Sequence, residues 1–115
     1  MKQNVFFAFR GDPMCFVHVL LNSLNLHKKG MGGQIVLEGD AVKLVPEMVK
    51  TDNFLNKLYL EVKKKNLIIG ACKACSTKLK VRDNIEAEGI PLIGEMMGHP
   101  AMSEYIDQGY QVLTF

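Results

Sequence analysis

The stretch that decides the fold is Leu67–Cys75, which reads LIIGACKAC. Its apolar first half predicts a buried strand over Leu67–Ala71. The two cysteines that follow are spaced C-x-x-C and begin a short basic segment, which we predict to be a helix. A helix N-terminus favours negative charge, and a thiol reacts as its thiolate, so the stretch indicates sulfur chemistry at a strand end.

On either side of this stretch the chain alternates short apolar runs with longer amphipathic segments. The further strands are predicted at Val5–Phe9, Gln34–Leu37, Gly89–Ile93 and Tyr110–Phe115. Helices are predicted from Asp12-Pro13 to Gly30, from Thr51-Asp52 through Val62, and from His99-Pro100 to Gly109. Strands that alternate with helices imply parallel crossovers. We therefore expect an α/β fold, a three-layer α/β/α sandwich with a mainly parallel five-stranded sheet, in a single domain over residues 1–115.

Composition excludes several classes of function. A net charge of +2 is too small to predict nucleic-acid binding, and we interpret Lys63–Lys65 as the solvated end of a helix. No apolar run approaches the ~18 residues that a membrane span needs. Three cysteines without a secretory signal indicate a reducing compartment. We expect a cytoplasmic protein with free thiols, no nucleic-acid partner and no membrane association.

Ligands of open parallel sheets bind beyond the carboxyl ends of the strands. The segments predicted to lie there carry Arg10, Glu38 and Glu95, and Lys73 stands beside the first cysteine of the pair. These four are our candidate substrate-binding residues at the rim of the sheet. Roles without substrate binding stay open for two of them, since Arg10 could be a solvated side chain and Glu38 a turn residue.

The cysteines differ in what their surroundings predict. Cys72 falls where the third strand ends, and nearby lysines such as Lys73 and Lys78 are expected to lower its pKa, which makes it the candidate nucleophile. Packing at the strand end is its alternative role. Cys75 lies three residues on, so both sulfurs can face one side of the first helical turn. Cys15 lies among apolar residues of the first helix and is expected to be a small buried hydrophobe.

Spacing argues against a resident metal or cofactor. A structural zinc site needs four ligands, typically two such cysteine pairs, and this chain has one. His18, His27 and His99 show no paired ligand spacing, and His99 before Pro100 is expected to begin the last helix. No G-x-G-x-x-G or P-loop pattern occurs. We expect neither a metal nor a nucleotide cofactor.

Several segments together resemble the DsrE/DsrF-like family, which includes sulfur-relay subunits of the TusD type. They are Glu38-Gly39 after the second strand, Ile69–Val81 with its strand-end cysteine, and the closing strand Tyr110–Phe115. The resemblance implies a small α/β/α protein that forms a homo- or hetero-oligomer, often a trimer or hexamer. It also implies a persulfide on the cysteine that ends the third strand, which Cys72 matches. Cys75 matches a second cysteine that only some members carry.

Three functions follow from these observations. The first is a sulfur carrier or sulfurtransferase-like protein that uses Cys72 and exchanges sulfur with donor and acceptor proteins. The second is a dithiol redox protein that uses Cys72 and Cys75, since a C-x-x-C after a strand has the shape of a thioredoxin-like motif. In the first function, Cys75 could also act as a resolving thiol, by attacking a persulfide on Cys72 and releasing sulfide with disulfide formation. The third is a non-enzymatic oligomeric module whose rim loops hold a small ligand or a partner subunit. The methionines after the fourth strand are expected in the core or at a subunit interface: Met96, Met97 and Met102.

Overall fold

The strands and helices are those of a computed structural model that describes residues 2–115, so Met1 of the expected domain lies outside the described residues. The strands are β1 (Asn4–Ala8), β2 (Gly32–Leu37), β3 (Ile68–Cys72), β4 (Leu92–Ile93) and β5 (Gln111–Thr114). The α-helices are α1 (Pro13–Lys28), α2 (Val45–Met48), α3 (Asn56–Lys64), α4 (Lys73–Lys78), α5 (Arg82–Ala87) and α6 (Ser103–Asp107). A 3₁₀ helix, Gly39–Leu44, precedes α2.

The five strands form one parallel sheet in the order β4-β3-β2-β1-β5. Because all strands run the same way, their carboxyl ends share one edge. The α/β fold with a five-stranded parallel sheet is confirmed.

Helices cover both faces of the sheet. One face packs side chains such as Phe6 and Ile35 against a core to which α1–α5 all contribute. The other face packs Val5, Phe7 and Val36 against residues that include Tyr105 of α6. Burial on both faces explains why the strands read as continuous apolar runs rather than as an alternating pattern.

The longest helix, α1, begins where the sequence predicts. Asp12 caps it, since the Asp12 Oδ1 accepts the Met14 N–H at 2.9 Å, and Pro13 occupies the first helical position. The helix has 16 residues and ends at Lys28. Among residues 2–115, no helix combines the length and the hydropathy that a membrane crossing needs.

The bounds of several predicted elements differ from the structure, and two of the differences have a local cause. The helix expected from Thr51-Asp52 begins at Asn56, because Asn53 Oδ1 accepts the Leu55 N–H at 2.9 Å and forms a turn before it. Phe54 consequently lies outside the helix and is 57% exposed. The fourth strand contains only Leu92–Ile93, since Pro91 has no N–H to donate to a neighbouring strand.

Glu88 is expected to stabilise the fold when its carboxyl group is ionised, at pH values above its pKa. It accepts hydrogen bonds from the Tyr59 hydroxyl and from Lys63 Nζ. Burial opposes ionisation of Glu88, but these two bonds and the Lys63 charge outweigh it and lower its pKa. A lowered folded-state pKa contributes stability above the unfolded value, near 4.5, and that stability is lost as the pH falls through the folded value.

Urea unfolding of Glu88→Gln tests this contribution. We expect a loss of about 1–2 kcal/mol in the free energy of unfolding near neutral pH, and a smaller loss in acid. Glu86→Gln is the matched control, because the one ion pair of Glu86 in the described part of the chain is an exposed pair with Arg82, which is worth about 0.5 kcal/mol or less. Equal losses for the two variants at both pH values would contradict the assignment.

Candidate functional site

Four side chains that can bind metals or react as nucleophiles meet at the carboxyl edge of the sheet. Glu38 follows β2, Cys72 ends β3, Cys75 lies in the first turn of α4, and His99 follows β4. One side-chain donor atom of each lies within 4.8 Å of those of the others. β2 and β3 are neighbours with Leu37 opposite Ala71, so Glu38 comes beside Cys72.

The C-x-x-C segment begins α4 as predicted. Cys72 is the N-cap, and its Sγ accepts the backbone N–H of Cys75 at 3.3 Å. This hydrogen bond fixes the first turn of the helix and turns both sulfurs toward the same cluster.

Cys72 is fully buried at the floor of the cluster. Its Sγ lies 3.1 Å from His99 Nδ1 and 3.6 Å from the carbonyl oxygen of Gly98. Burial raises the pKa of Cys72 to about 12, and Cys75 and Glu38 add to the shift, while the Cys75 N–H opposes it only in part. The expected lowering of this pKa is therefore wrong. Lys73 is exposed and, within residues 2–115, forms no hydrogen bond or ion pair with either sulfur.

Cys75 is the more accessible of the two thiols. It is half-buried and lines an open pocket of about 350 Å³. Its Sγ accepts the Gly39 N–H at 3.2 Å and lies 3.9 Å from His99 Nδ1. The pocket is lined by Gly39, Asp40, Ala74, Cys75, Lys78, Leu79 and His99.

Glu38 and His99 pair across the cluster. His99 Nδ1 lies 3.6 Å from Glu38 Oε2, and the Glu38 side chain is only 13% exposed. Burial raises the pKa of Glu38, and the charge and hydrogen bond of His99 lower it without cancelling the effect of burial. Glu38 is thus a member of the cluster, as well as the residue that precedes the 3₁₀ helix.

His99 is the member that the sequence analysis assigned wrongly. It does not begin the last helix, because α6 starts at Ser103. It lies instead in a tight hairpin turn, where its backbone forms reciprocal hydrogen bonds of 2.9 Å with Met96. Gly98, with φ +93°, allows the chain to reverse there and to direct His99 onto the cysteines. His99 has no partner at a typical metal-ligand spacing in the sequence, but in the fold it still lies beside both cysteines.

Two of the other candidate residues lie away from the cysteines. Arg10 is exposed and lines a second open pocket of about 380 Å³ with Asp12 and Lys43, and this pocket shares Asp40 with the pocket beside Cys75. Glu95 Oε1 accepts the backbone N–H of Ala101 at 3.0 Å, so it holds the loop before α6. The structure thus unites Glu38 with the cysteine pair and leaves Arg10 and Glu95 outside the cluster.

The third cysteine and the methionines also occupy distinct surroundings. Cys15 is half-buried rather than buried, and its Sγ lies 3.6 Å from Asp12 Oδ2. Met102 packs under the second face of the sheet, in agreement with a core role. Met96 and Met97 are exposed at the hairpin turn, Met97 by 95%.

Sequence and structure comparisons relate the chain to known proteins. Residues 3–115 match the DsrE/DsrF-like family. An uncharacterized protein from Methanocaldococcus jannaschii is 29% identical over 97 residues, which are 84% of this chain and 77% of that protein. A conserved protein of unknown function from Bacteroides thetaiotaomicron has a similar structure, with a TM-score of 0.71 and 23% identity, over 98% of this chain and 95% of that one. The second similarity concerns the fold alone.

Proposed function

Because the chain belongs to the DsrE/DsrF-like family, we propose that it is a sulfur carrier that holds a persulfide at the Cys72–Cys75 pair. The observation that carries the proposal is an accessible thiol, Cys75, beside a second thiol at the strand end. Membership of this family suggests a sulfur-relay type of function, and the pair supplies the chemistry that such a function needs.

The geometry favours Cys75 as the thiol that first receives sulfur. Cys75 lines the open pocket, whereas Cys72 has no exposed surface for a donor to approach. The assignment of the carrier sulfur to Cys72 from sequence stays a prediction, and the experiment below tests both thiols.

Sulfur transfer consists of two displacement reactions, each of which forms one S–S bond and breaks another. The Cys75 thiolate attacks the outer sulfur of a donor persulfide, so a new S–S bond forms on Cys75 and the donor leaves as a thiolate. An acceptor thiolate then attacks that outer sulfur, and Cys75 leaves as a thiolate. The Gly39 N–H, 3.2 Å from Cys75 Sγ, stabilises negative charge on this sulfur in both steps.

The second thiol decides whether the persulfide survives. If Cys72 attacks the inner sulfur on Cys75, hydrosulfide leaves and a disulfide forms, with both cysteines oxidised and the outer sulfur reduced. The raised pKa of Cys72 keeps this thiol mostly protonated, which slows the attack without preventing it, since the two sulfurs lie within 4.8 Å of each other. The pair therefore supports sulfur relay over sulfide release, and a dithiol redox function is the second candidate.

Intact mass spectrometry after incubation with a low-molecular-weight persulfide tests the proposal. We expect the wild type to gain one sulfur atom, Cys75→Ser to gain none, and Cys72→Ser to retain the added sulfur for longer. Cys15→Ser is the matched control, because Cys15 lies outside the cluster; it should behave as the wild type does.

Other outcomes of the same experiment separate the alternatives. Loss of the added sulfur in Cys72→Ser with retention in Cys75→Ser would assign the carrier to Cys72. A product two hydrogens lighter than the starting protein would favour the dithiol redox function. If neither single variant changes the uptake seen in the wild type, the carrier proposal is wrong.

The chemistry requires a sulfur donor and a sulfur acceptor as partners. We also propose the homo-oligomer, a trimer or hexamer, that the family resemblance implies. The exposed Met96 and Met97 adjoin His99 and offer an apolar contact beside the thiols. A cytoplasmic location, with its reduced thiols, suits this chemistry and is part of the proposal.

A further inference from the structure

We propose that Glu38, Cys72, Cys75 and His99 together form a binding site for one Zn²⁺ ion. The proposal rests on the arrangement of the four donor atoms and stands independently of the proposed sulfur transfer. Thiolate, imidazole and carboxylate groups are the ligands that zinc takes in proteins, and four is its usual coordination number.

The distances match a tetrahedral site. Zinc bonds of about 2.3 Å to sulfur and about 2.0 Å to nitrogen or oxygen leave the ligand atoms roughly 3.3–3.8 Å apart. His99 Nδ1 lies 3.1 Å from Cys72 Sγ, 3.9 Å from Cys75 Sγ and 3.6 Å from Glu38 Oε2. All four donor atoms lie within 4.8 Å of one another, so side-chain shifts of up to about 1 Å complete the site.

The backbone around the ligands is already arranged to support bound thiolates. The Gly39 N–H donates to Cys75 Sγ and the Cys75 N–H donates to Cys72 Sγ. Hydrogen bonds of this kind orient metal ligands and stabilise their negative charge. The ligands come from the ends of adjacent parallel strands, from the first turn of a helix and from a tight hairpin turn, all of which limit their movement.

Charge also favours a cation at this position. The Glu38 side chain is largely buried, and within residues 2–115 its one basic neighbour is His99, which carries a positive charge only when protonated. Binding of Zn²⁺ replaces the two thiol protons, which are released to solvent, while Glu38 and neutral His99 bind through lone pairs. The four ligands and the ion then carry a net charge of −1, the same as the carboxylate beside two neutral thiols, so the ion binds without adding net charge to a largely buried site.

Zinc and sulfur compete for the same thiols if the proposed function also holds. A zinc-bound Cys75 shares one of its electron pairs with the metal, which makes it a weaker nucleophile toward a donor persulfide. Zinc would then slow sulfur uptake until it is removed.

The purified full-length protein, treated with a chelator and then titrated with Zn²⁺ under reducing conditions, tests the site. We expect one zinc per chain by elemental analysis, with two protons released per ion bound. Co²⁺ in place of zinc is expected to give the thiolate-to-metal absorption and the intense visible bands of a tetrahedral sulfur-ligated site.

Single variants identify the ligands. Cys75→Ser and His99→Asn should each weaken zinc binding by at least about 10- to 100-fold, the loss known even for outer-shell changes at zinc sites. His99→Asn alters a partly exposed turn residue, so it keeps the test valid if Cys75→Ser folds poorly. Cys15→Ser and His27→Asn are matched controls outside the cluster and should bind zinc as the wild type does.

The zinc proposal and the sulfur-carrier proposal can be rejected independently of each other. Protein that takes up sulfur but binds zinc no more tightly than Cys75→Ser does would overturn the zinc proposal and leave the carrier intact. Protein that binds one zinc but takes up no sulfur, even after treatment with the chelator, would support the zinc site and overturn the sulfur carrier. An octahedral Co²⁺ spectrum without thiolate absorption would also overturn the zinc site.

Discussion

Iodoacetamide is expected to modify Cys75 in the folded, chelator-treated protein while leaving Cys72 almost untouched. Cys72 has no exposed surface, and burial raises its pKa to about 12. Near pH 8 such a thiol is a thiolate in roughly one molecule in 10⁴, whereas a cysteine with the ordinary pKa, near 9, is a thiolate in roughly one in ten. The rate constant of Cys72 should therefore be at least about 10³ lower in the folded protein than in the same chain unfolded in urea.

Both the alkylation of Cys72 and the stability of the fold are expected to change as the pH rises. A folded-state pKa above the unfolded value, near 9, means that the native state favours the protonated thiol. Cys72 therefore contributes stability that is complete below about pH 9 and is lost as the pH rises toward 12. Over the same interval its alkylation rate should rise about tenfold per pH unit.

Peptide mass spectrometry of quenched samples measures all three thiols in one experiment. Cys15, which is half-buried outside the cluster, serves as the internal control for the folded state. If Cys72 is modified as fast as Cys75 in the folded protein, Cys72 is not buried as the structure has it. Cys72 would then be an accessible nucleophile, as the sequence predicts.

The fold was predictable because its information is local. The apolar run before the cysteines, the Asp12-Pro13 cap and the alternation of strands with helices each depend on neighbouring residues only. The boundaries that were wrong depend on single interactions instead. The start of α3 is set by the Asn53 side chain, and the short β4 by Pro91, neither of which changes the periodicity of the sequence.

The composition of the site depends on strand order, which the sequence does not reveal. The rule that polar residues gather at the carboxyl edge holds for Arg10, Glu38 and the cysteines alike. Only the order β4-β3-β2-β1-β5 makes β2 the neighbour of β3, so that Glu38 reaches the thiols while Arg10, one strand farther away, does not. Glu95 was excluded by a hydrogen bond to Ala101 that no spacing rule encodes.

His99 shows a second limit of reasoning from sequence. Its partners are 24 and 27 residues away and are reached through a hairpin turn that has no periodic pattern. The sign that could have revealed it is the glycine before it, since Gly98 adopts a positive φ that reverses the chain. The predicted lowering of the Cys72 pKa failed for a related reason, because the lysines near it in sequence are solvated while the thiol itself is buried.

Replacing Gly33 with alanine is expected to be one of the most destabilising single substitutions in the chain. Gly33 lies in β2 where the sheet meets α1, and a Cβ there would overlap the backbone carbonyl oxygen of Ser23. Its φ of +93° adds strain for any residue with a side chain. Because a backbone atom cannot rotate away, the clash must be relieved by moving the helix from the sheet, which disturbs the buried contacts between them.

We expect Gly33→Ala to lower the free energy of unfolding by about 3 kcal/mol or more, through overpacking and backbone strain together. Gly30→Ala is the matched control, because Gly30 also has a positive φ, +72°, but among residues 2–115 no non-neighbouring atom lies within 4 Å of the added Cβ. It should cost only the strain, about 1 kcal/mol. Urea unfolding of the two variants separates the clash from the strain: equal losses would mean that α1 does not pack closely enough against β2 for a Cβ at Gly33 to overlap the Ser23 carbonyl oxygen.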